Sequence, residues 1–137
     1  MTHAPSYACE PLWQPHPRLR RGVIPQPVRG WLLDSTSLTR RLTAACGGRF
    51  RVEVDFEGWT RPMLNEAEAL GLPPARNAWI RQVYLLCDER PWVFARTVIP
   101  ASTLTGRERR LRHLKTRPLG AVLFADPSMQ RGVVEVA

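Results

Sequence analysis

Lysine is nearly missing from this chain: of its 20 basic residues only Lys115 is not arginine. Histidine is scarce too, with His3, His16 and His113 far apart and none at a metal-ligand spacing. The three cysteines, Cys9, Cys46 and Cys87, form no C-x-x-C pair, and their odd number and wide spacing give no disulfide framework. These shortages argue against a structural zinc, a histidine-based metal centre and a disulfide-stapled scaffold, and the thiols suit a reducing compartment. No apolar run nears the roughly 18 residues that a membrane span needs. The first residues lack the basic and apolar regions of a secretory leader, so the expectation is a cytoplasmic protein with no membrane span. The G-x-S-x-G, G-x-G-x-x-G, H-E-x-x-H and phosphate-loop signatures are absent. Ser35, Ser37 and Ser102 have no nearby histidine and read as helix caps or loop residues, and His113 reads as an exposed residue of a basic helix.

What the chain does have is a core and a charge. With 137 residues, 44% of them apolar, one domain can bury a real interior. Its formal net charge is +8. Two basic runs stand out: Arg18, Arg20 and Arg21, and the stretch from Arg107 to Arg117, where six basic residues face one acid, Glu108. Such runs form either a solvated helix face or a surface for acidic partners: nucleic acid, anionic lipid or an anionic small molecule.

Residues 1–27 hold six of the 13 prolines and read as an irregular arm, with Trp13 as an anchor. The domain proper is expected over 28–137. Val28 to Leu33 reads as one or two helical turns. Asp34, Ser35 and Ser37 are good N-cap types before a helix from Leu38 to Cys46, which Gly47-Gly48 ends. Phe50, Val52, Val54 and Phe56 alternate with polar residues, so Arg49 to Glu57 is a strand with one wet face, broken by Gly58. Asn65 to Leu70 reads as a helical turn closed by Gly71. Ala78 to Cys87 is apolar on both faces and reads as a central strand. A turn over Asp88 to Pro91 joins it to a strand from Trp92 to Ile99. Thr105 and Glu108 have capping-box spacing before a helix through Leu114, with Leu111 and Leu114 inward and the arginines outward. A short helix over Leu119 to Phe124 and a last strand over Gly132 to Ala137 follow. That strand is apolar and needs a neighbour; the chain is expected to be a monomer unless this strand pairs with another chain. The order of elements predicts an α+β fold, an antiparallel sheet with helices packed on one face.

Arg81 is the most informative residue. It shares a strand face with Trp79, Val83 and Leu85, and arginine is rarely buried without a partner. Its planar fork suits a carboxylate, which is either an internal one, Asp55 or Glu57, or that of an anionic ligand.

Four ordered blocks carry a family resemblance: Trp31-Leu32-Leu33 with Ser37-Leu38-Thr39-Arg40-Arg41; Trp79-Ile80-Arg81 with Leu85-Leu86-Cys87; Pro91-Trp92 with Arg96-Thr97-Val98-Ile99-Pro100 and Ser102-Thr103-Leu104; and Arg117-Pro118-Leu119-Gly120 with Leu123-Phe124. Over Val28 to Ala137 the sequence resembles the chorismate pyruvate-lyases of ubiquinone biosynthesis. That resemblance implies an antiparallel α+β fold with a ligand cavity closed by helical flaps. It implies conversion of chorismate to 4-hydroxybenzoate and pyruvate with no metal and no cofactor. It also implies three binding residues. Arg81 would hold the product carboxylate, Leu38 would line the cavity, and Leu119 would contribute through its backbone. The family's glutamate, a candidate acid, falls on a strand beyond the segment matching Gly132 to Ala137. The expectation is therefore a chorismate lyase domain short of the family's C-terminal strands; the alternative is a catalytically impaired relative that binds 4-hydroxybenzoate or a similar aromatic carboxylate. Neither reading calls for a nucleic-acid partner.

Overall fold

The computed structural model describes residues 10–137. They form two compact units: Cys46–Leu119 together with Glu10, and Pro11–Ala45 together with Gly120–Ala137. The chain is α+β, with every strand pairing antiparallel.

The first unit is built on a three-stranded sheet. Its strands are β2 (Phe50–Thr60), β3 (Ala78–Cys87) and β4 (Arg90–Ile99), in the order β2-β3-β4. The central place of β3 follows from its sequence, since Ala78 and Ile80 are wholly buried and apolar residues occupy both faces. The β3–β4 connection is only Asp88 and Glu89, both in the left-handed region with φ of 46° and 65°. That is the backbone of a tight hairpin turn, made here without glycine. The Asp88 carboxylate offsets the strain by accepting a bond from the Arg49 amide at 2.8 Å. It passes so close to Gly48 that a Cβ there would lie 1.9 Å from it. A side chain at Gly48 would therefore displace the Asp88 carboxylate from the Arg49 amide.

Three expectations for this unit are corrected. Gly58 does not end β2, because β3 goes on pairing through Gly58↔Ile80, Trp59↔Trp79 and Thr60↔Ala78. The Thr105–Glu108 capping box does not form. Gly106 takes φ +55°, which carries the chain out of the right-handed region, and Gly106–His113 winds as a 3-10 helix without a side-chain cap. Leu111 and Leu114 do turn inward. Cys46 and Cys87 are joined in a disulfide across a sequence separation of 41, where the spacing signalled none. Cys87 pairs with Phe50 in the sheet register, and Cys46 lies just upstream of that strand, so the fold brings together two distant thiols. A short helix, α3 (Leu64–Ala69), precedes β3; the Glu66 carboxylate accepts a bond from the Met63 amide at 2.8 Å and Gly71 follows with φ +63°.

The second unit contains β1 (Gln14–Pro15), a 3-10 turn at His16–Arg18, α1 (Gln26–Leu32), α2 (Leu38–Ala45) and β5 (Glu135–Val136). α4 (Leu119–Phe124) begins on the last residue of the first unit and continues into the second. Of the irregular arm expected over 1–27, residues 1–9 lie outside the described residues, and 14–18 and 26–27 take regular structure; the final strand is shorter than expected. β5 finds its neighbour inside the chain: Gln14 opposes Val136 and Pro15 opposes Glu135. Ser37 caps α2, its hydroxyl oxygen accepting from the Arg40 amide at 3.3 Å. Arg41 ties α2 to α1: its guanidinium donates to the Gly30 carbonyl at 2.7 Å, pairs with Asp34 at 2.8 Å and stacks 4.0 Å over the Trp31 ring.

Candidate functional site

Arg81 sits in the middle of the sheet and is 2% exposed. A bulge in β2 gives it its partner. Val54 opposes Val83 but Phe56 opposes Gln82, so Asp55 is an extra residue, and every side chain after it changes face. Without the bulge, alternation would set Phe56 opposite Arg81. With it, Phe56 turns to the other face and is 39% exposed, while Glu57 comes to lie opposite Arg81. Glu57 and Arg81 form an ion pair, and a second guanidinium nitrogen donates to the Arg117 carbonyl at 3.1 Å. The internal carboxylate partner is therefore Glu57 and not Asp55. A guanidinium carries five N–H groups, so two bonds do not exhaust it.

The same face of the sheet continues into an aromatic cluster. Trp59 and Trp79 oppose each other in register and meet edge to face with ring centroids 5.7 Å apart. The Arg112 guanidinium lies 5.1 Å from the Trp79 ring and 5.5 Å from the Trp59 ring. Arg112 was expected to point outward with the other arginines; the two indoles hold it inward by cation–π attraction. Among the described residues, the buried side-chain polar atoms without a hydrogen-bond partner are Trp79 Nε1, Arg112 Nε and Glu108 Oε2, Gln82 Oε1 on the opposite sheet face, and Nδ2 and Oδ1 of Asn65 in α3. Buried polar groups are normally satisfied, so this part of the fold holds polar atoms available to something else. Across the strands, Arg96 opposes Gln82 and forms a two-pronged pair with Glu66 at 2.6 and 3.0 Å.

The other two residues singled out from the sequence lie elsewhere in the chain. Leu119 opens α4 two positions after Arg117, whose carbonyl accepts from Arg81. Leu38 belongs to the second unit. It lines a cavity of about 450 Å³ with Thr36, Leu123, Phe124, Met129 and Arg131. Sequence reasoning missed Arg112 and the burial of Gln82. Their only signal was position: Arg112 on a basic run, Gln82 on a strand apolar on both faces.

Among the described residues no group of three or more His, Cys, Asp or Glu side chains is placed to hold a metal ion, and no helix is long and apolar enough to cross a membrane.

Fold and site thus define an α+β protein with a cationic polar cluster on one face of an antiparallel sheet. A family model described as chorismate lyase matches residues 9–137 and so takes in most of the proline-rich stretch. The chain is 50% identical over 109 residues to a probable chorismate pyruvate-lyase of Marinobacter nauticus, covering 80% of this chain and 58% of that protein. It is 49% identical over 109 residues to one of Pseudomonas aeruginosa, covering 80% and 61%. A third relative, from Pseudomonas savastanoi pv. phaseolicola, is 40% identical over 137 residues, with 99% of this chain and 73% of the relative covered. The chain belongs to the chorismate lyase family. It spans about three-fifths of the length of the first two relatives.

Proposed function

We propose that the chain acts as a chorismate pyruvate-lyase, releasing 4-hydroxybenzoate and pyruvate from chorismate. The observation that carries this reading is family membership together with the place of Arg81, buried on the central strand and fixed from two sides. Loss of the enolpyruvyl group makes the ring aromatic, so the substrate itself supplies the driving force. The protein has to hold a reactive conformer and to favour charge moving onto the leaving group. Arg81 holds the ring carboxylate in this reading. Glu57 and the Arg117 carbonyl set the angle of its fork, so little ordering is left to do when the anion arrives. Burial strengthens the contact, since water competes poorly there. The roles of Leu38, lining the cavity, and Leu119, acting through its backbone, rest on the family resemblance.

The test is to incubate the 137-residue chain with chorismate at single-turnover enzyme concentration and follow both products. Equal amounts of 4-hydroxybenzoate and pyruvate above the spontaneous background are expected. No turnover with 4-hydroxybenzoate still bound would replace this reading with the second one, an aromatic-carboxylate binder. Arg81→Ala is expected to abolish 4-hydroxybenzoate binding by calorimetry while circular dichroism shows a folded chain. Arg81→Lys, which keeps the charge but loses the fork, is expected to bind weakly. Undiminished binding in either folded variant would remove Arg81 from the site.

A further inference from the structure

We propose that the second unit carries a docking surface for an anionic lipid bilayer. The surface lies on residues 11–33, and it rests on charge and exposure in that unit alone, independent of the lyase reading.

From Pro11 to Leu33 the chain has four arginines, Arg18, Arg20, Arg21 and Arg29, and no carboxylate. All four are exposed, and none takes part in an ion pair among the described residues. That contrasts with Arg41 and Arg131 of the same unit. Arg41 is tied to Asp34 and the Gly30 carbonyl, and Arg131 to the Asp34 carbonyl. The free cations are interleaved with large apolar side chains that water should not keep: Leu12 is 80% exposed, Val23 57%, Trp13 48% and Val28 46%. A cavity of about 580 Å³ beside them is lined by Leu12, Trp13, Leu19, Ile24, Leu32 and Val136.

Each ingredient fits a different layer of a membrane surface. Arginine forks match lipid phosphate oxygens bidentately. Tryptophan favours the interface, where its ring meets acyl chains and its N–H stays wet. Leucine and valine gain by leaving water. Leu12-Trp13 precedes β1 and the Arg18–Arg21 run begins on the last residue of the 3-10 turn, so one short segment presents both. No span is required: the geometry is that of a protein lying on the surface. One carboxylate, Glu135, also lines the cavity and opposes the attraction. Charge complementarity selects the anionic bilayer over a neutral one and over an apolar protein partner.

The experiment is cosedimentation of the full chain with vesicles of equal parts phosphatidylglycerol and phosphatidylcholine, against vesicles of phosphatidylcholine alone. Partition into the anionic vesicles is expected, falling at about 0.5 M salt. Neutralising Arg18, Arg20 and Arg21 together by Arg→Gln is expected to lower the partition coefficient about 100-fold. The paired change Leu12→Ser with Trp13→Ser is expected to lower it about 10-fold or more. Glu135→Gln is expected to raise it. A control removes the same charge from the first unit, by Arg76→Gln, Arg90→Gln and Arg109→Gln, and is expected to change it less than about threefold. These positions are exposed, so the variants should fold. The proposal is overturned if the wild-type chain ignores anionic vesicles while binding RNA or another protein. It is equally overturned if both triple changes cost the same, or if the Leu12 and Trp13 change costs nothing.

Discussion

The two units are held together by different physics. Among the described residues, 13 of the 15 buried apolar side chains belong to the sheet unit, and only Ile24 and Leu42 to the other. The sheet unit therefore rests on burial, with Ile80 at 0% and Leu114 at 1% exposure. The second unit rests on short polar ties: Arg41 to Gly30 and Asp34, Arg131 to Asp34, and Ser37 at the α2 cap. Exposed ties of this kind contribute little each, whereas a buried leucine contributes several times more. The difference teaches where a precise site can be built. Arg81 keeps a fixed angle because the sheet around it cannot relax cheaply, and a surface that meets a soft partner can be assembled from exposed residues on short elements.

The largest test of that contrast is a truncation in each unit. Leu114→Ala is expected to cost about 3–4 kcal/mol, transfer and cavity terms together. Leu12→Ala in the second unit, already mostly in water, is expected to stay within about 0.5 kcal/mol. Urea unfolding of both variants measures the ratio, and equal costs would break the contrast.

The disulfide comes next. Closing a loop with sequence separation 41 constrains the unfolded chain by up to about 4 kcal/mol in the chain-entropy account. Reduction by a dithiol is expected to lower the unfolding midpoint and to expose two further thiols to titration. A thiol count unchanged by reduction would show that Cys46 and Cys87 are not joined.

A smaller contrast is between ion pairs. Arg96–Glu66 is 16% and 18% exposed, and Glu66 also accepts the Met63 amide. Glu66→Gln is expected to cost about 2 kcal/mol, since it leaves a largely buried guanidinium without its charge partner. Arg41→Gln removes a more accessible pair in the second unit, 33% and 24% exposed, and is expected to cost under about 1 kcal/mol. Double-mutant cycles on both pairs sharpen or erase the distinction.

Much of this was legible from period and punctuation. The bounds of β3 and α4 follow from an apolar run on both faces and from Pro118 beside Leu119. Arg81 was legible because a cation inside an apolar run demands an explanation. Its partner was only half legible. The alternation of β2 predicts Phe56 inward and Glu57 outward, and one bulge residue, Asp55, reverses both. A bulge leaves no mark on a hydrophobic pattern, because it is set by how two strands share their register. Arg112 was misread for a similar reason: two tryptophans from different strands make its place, and neither is near it in sequence. The disulfide was illegible because spacing carries no information about a pair that the sheet brings together.

The smallest effect lies in acid, and it divides the units again. Asp34 in the second unit is held below its ordinary value of 3.8, first by the hydrogen bond from the Thr36 side chain, then by the Thr36 amide and by Arg41. Glu89, at the β3–β4 turn of the sheet unit, is held below 4.5 chiefly by its bond to Arg51. A carboxylate whose folded value is depressed binds protons more weakly in the folded state than in the unfolded one. Its stabilisation is therefore complete above the ordinary value and is lost as the pH falls through the depressed one. Both groups are exposed, so each effect is small and shrinks further in salt. Asp34→Asn keeps an oxygen for the Thr36 amide and loses only the charge. It is expected to lower stability slightly near neutrality and so to flatten the fall below the ordinary carboxylate range, the variant and the wild-type chain converging in acid. Glu89→Gln is expected to do the same for the sheet unit, through loss of the Arg51 pair. Urea midpoints measured from neutral pH down through the acid range check both, and an acid limb as steep in each variant as in the wild-type chain would show that neither charge is held by its partners.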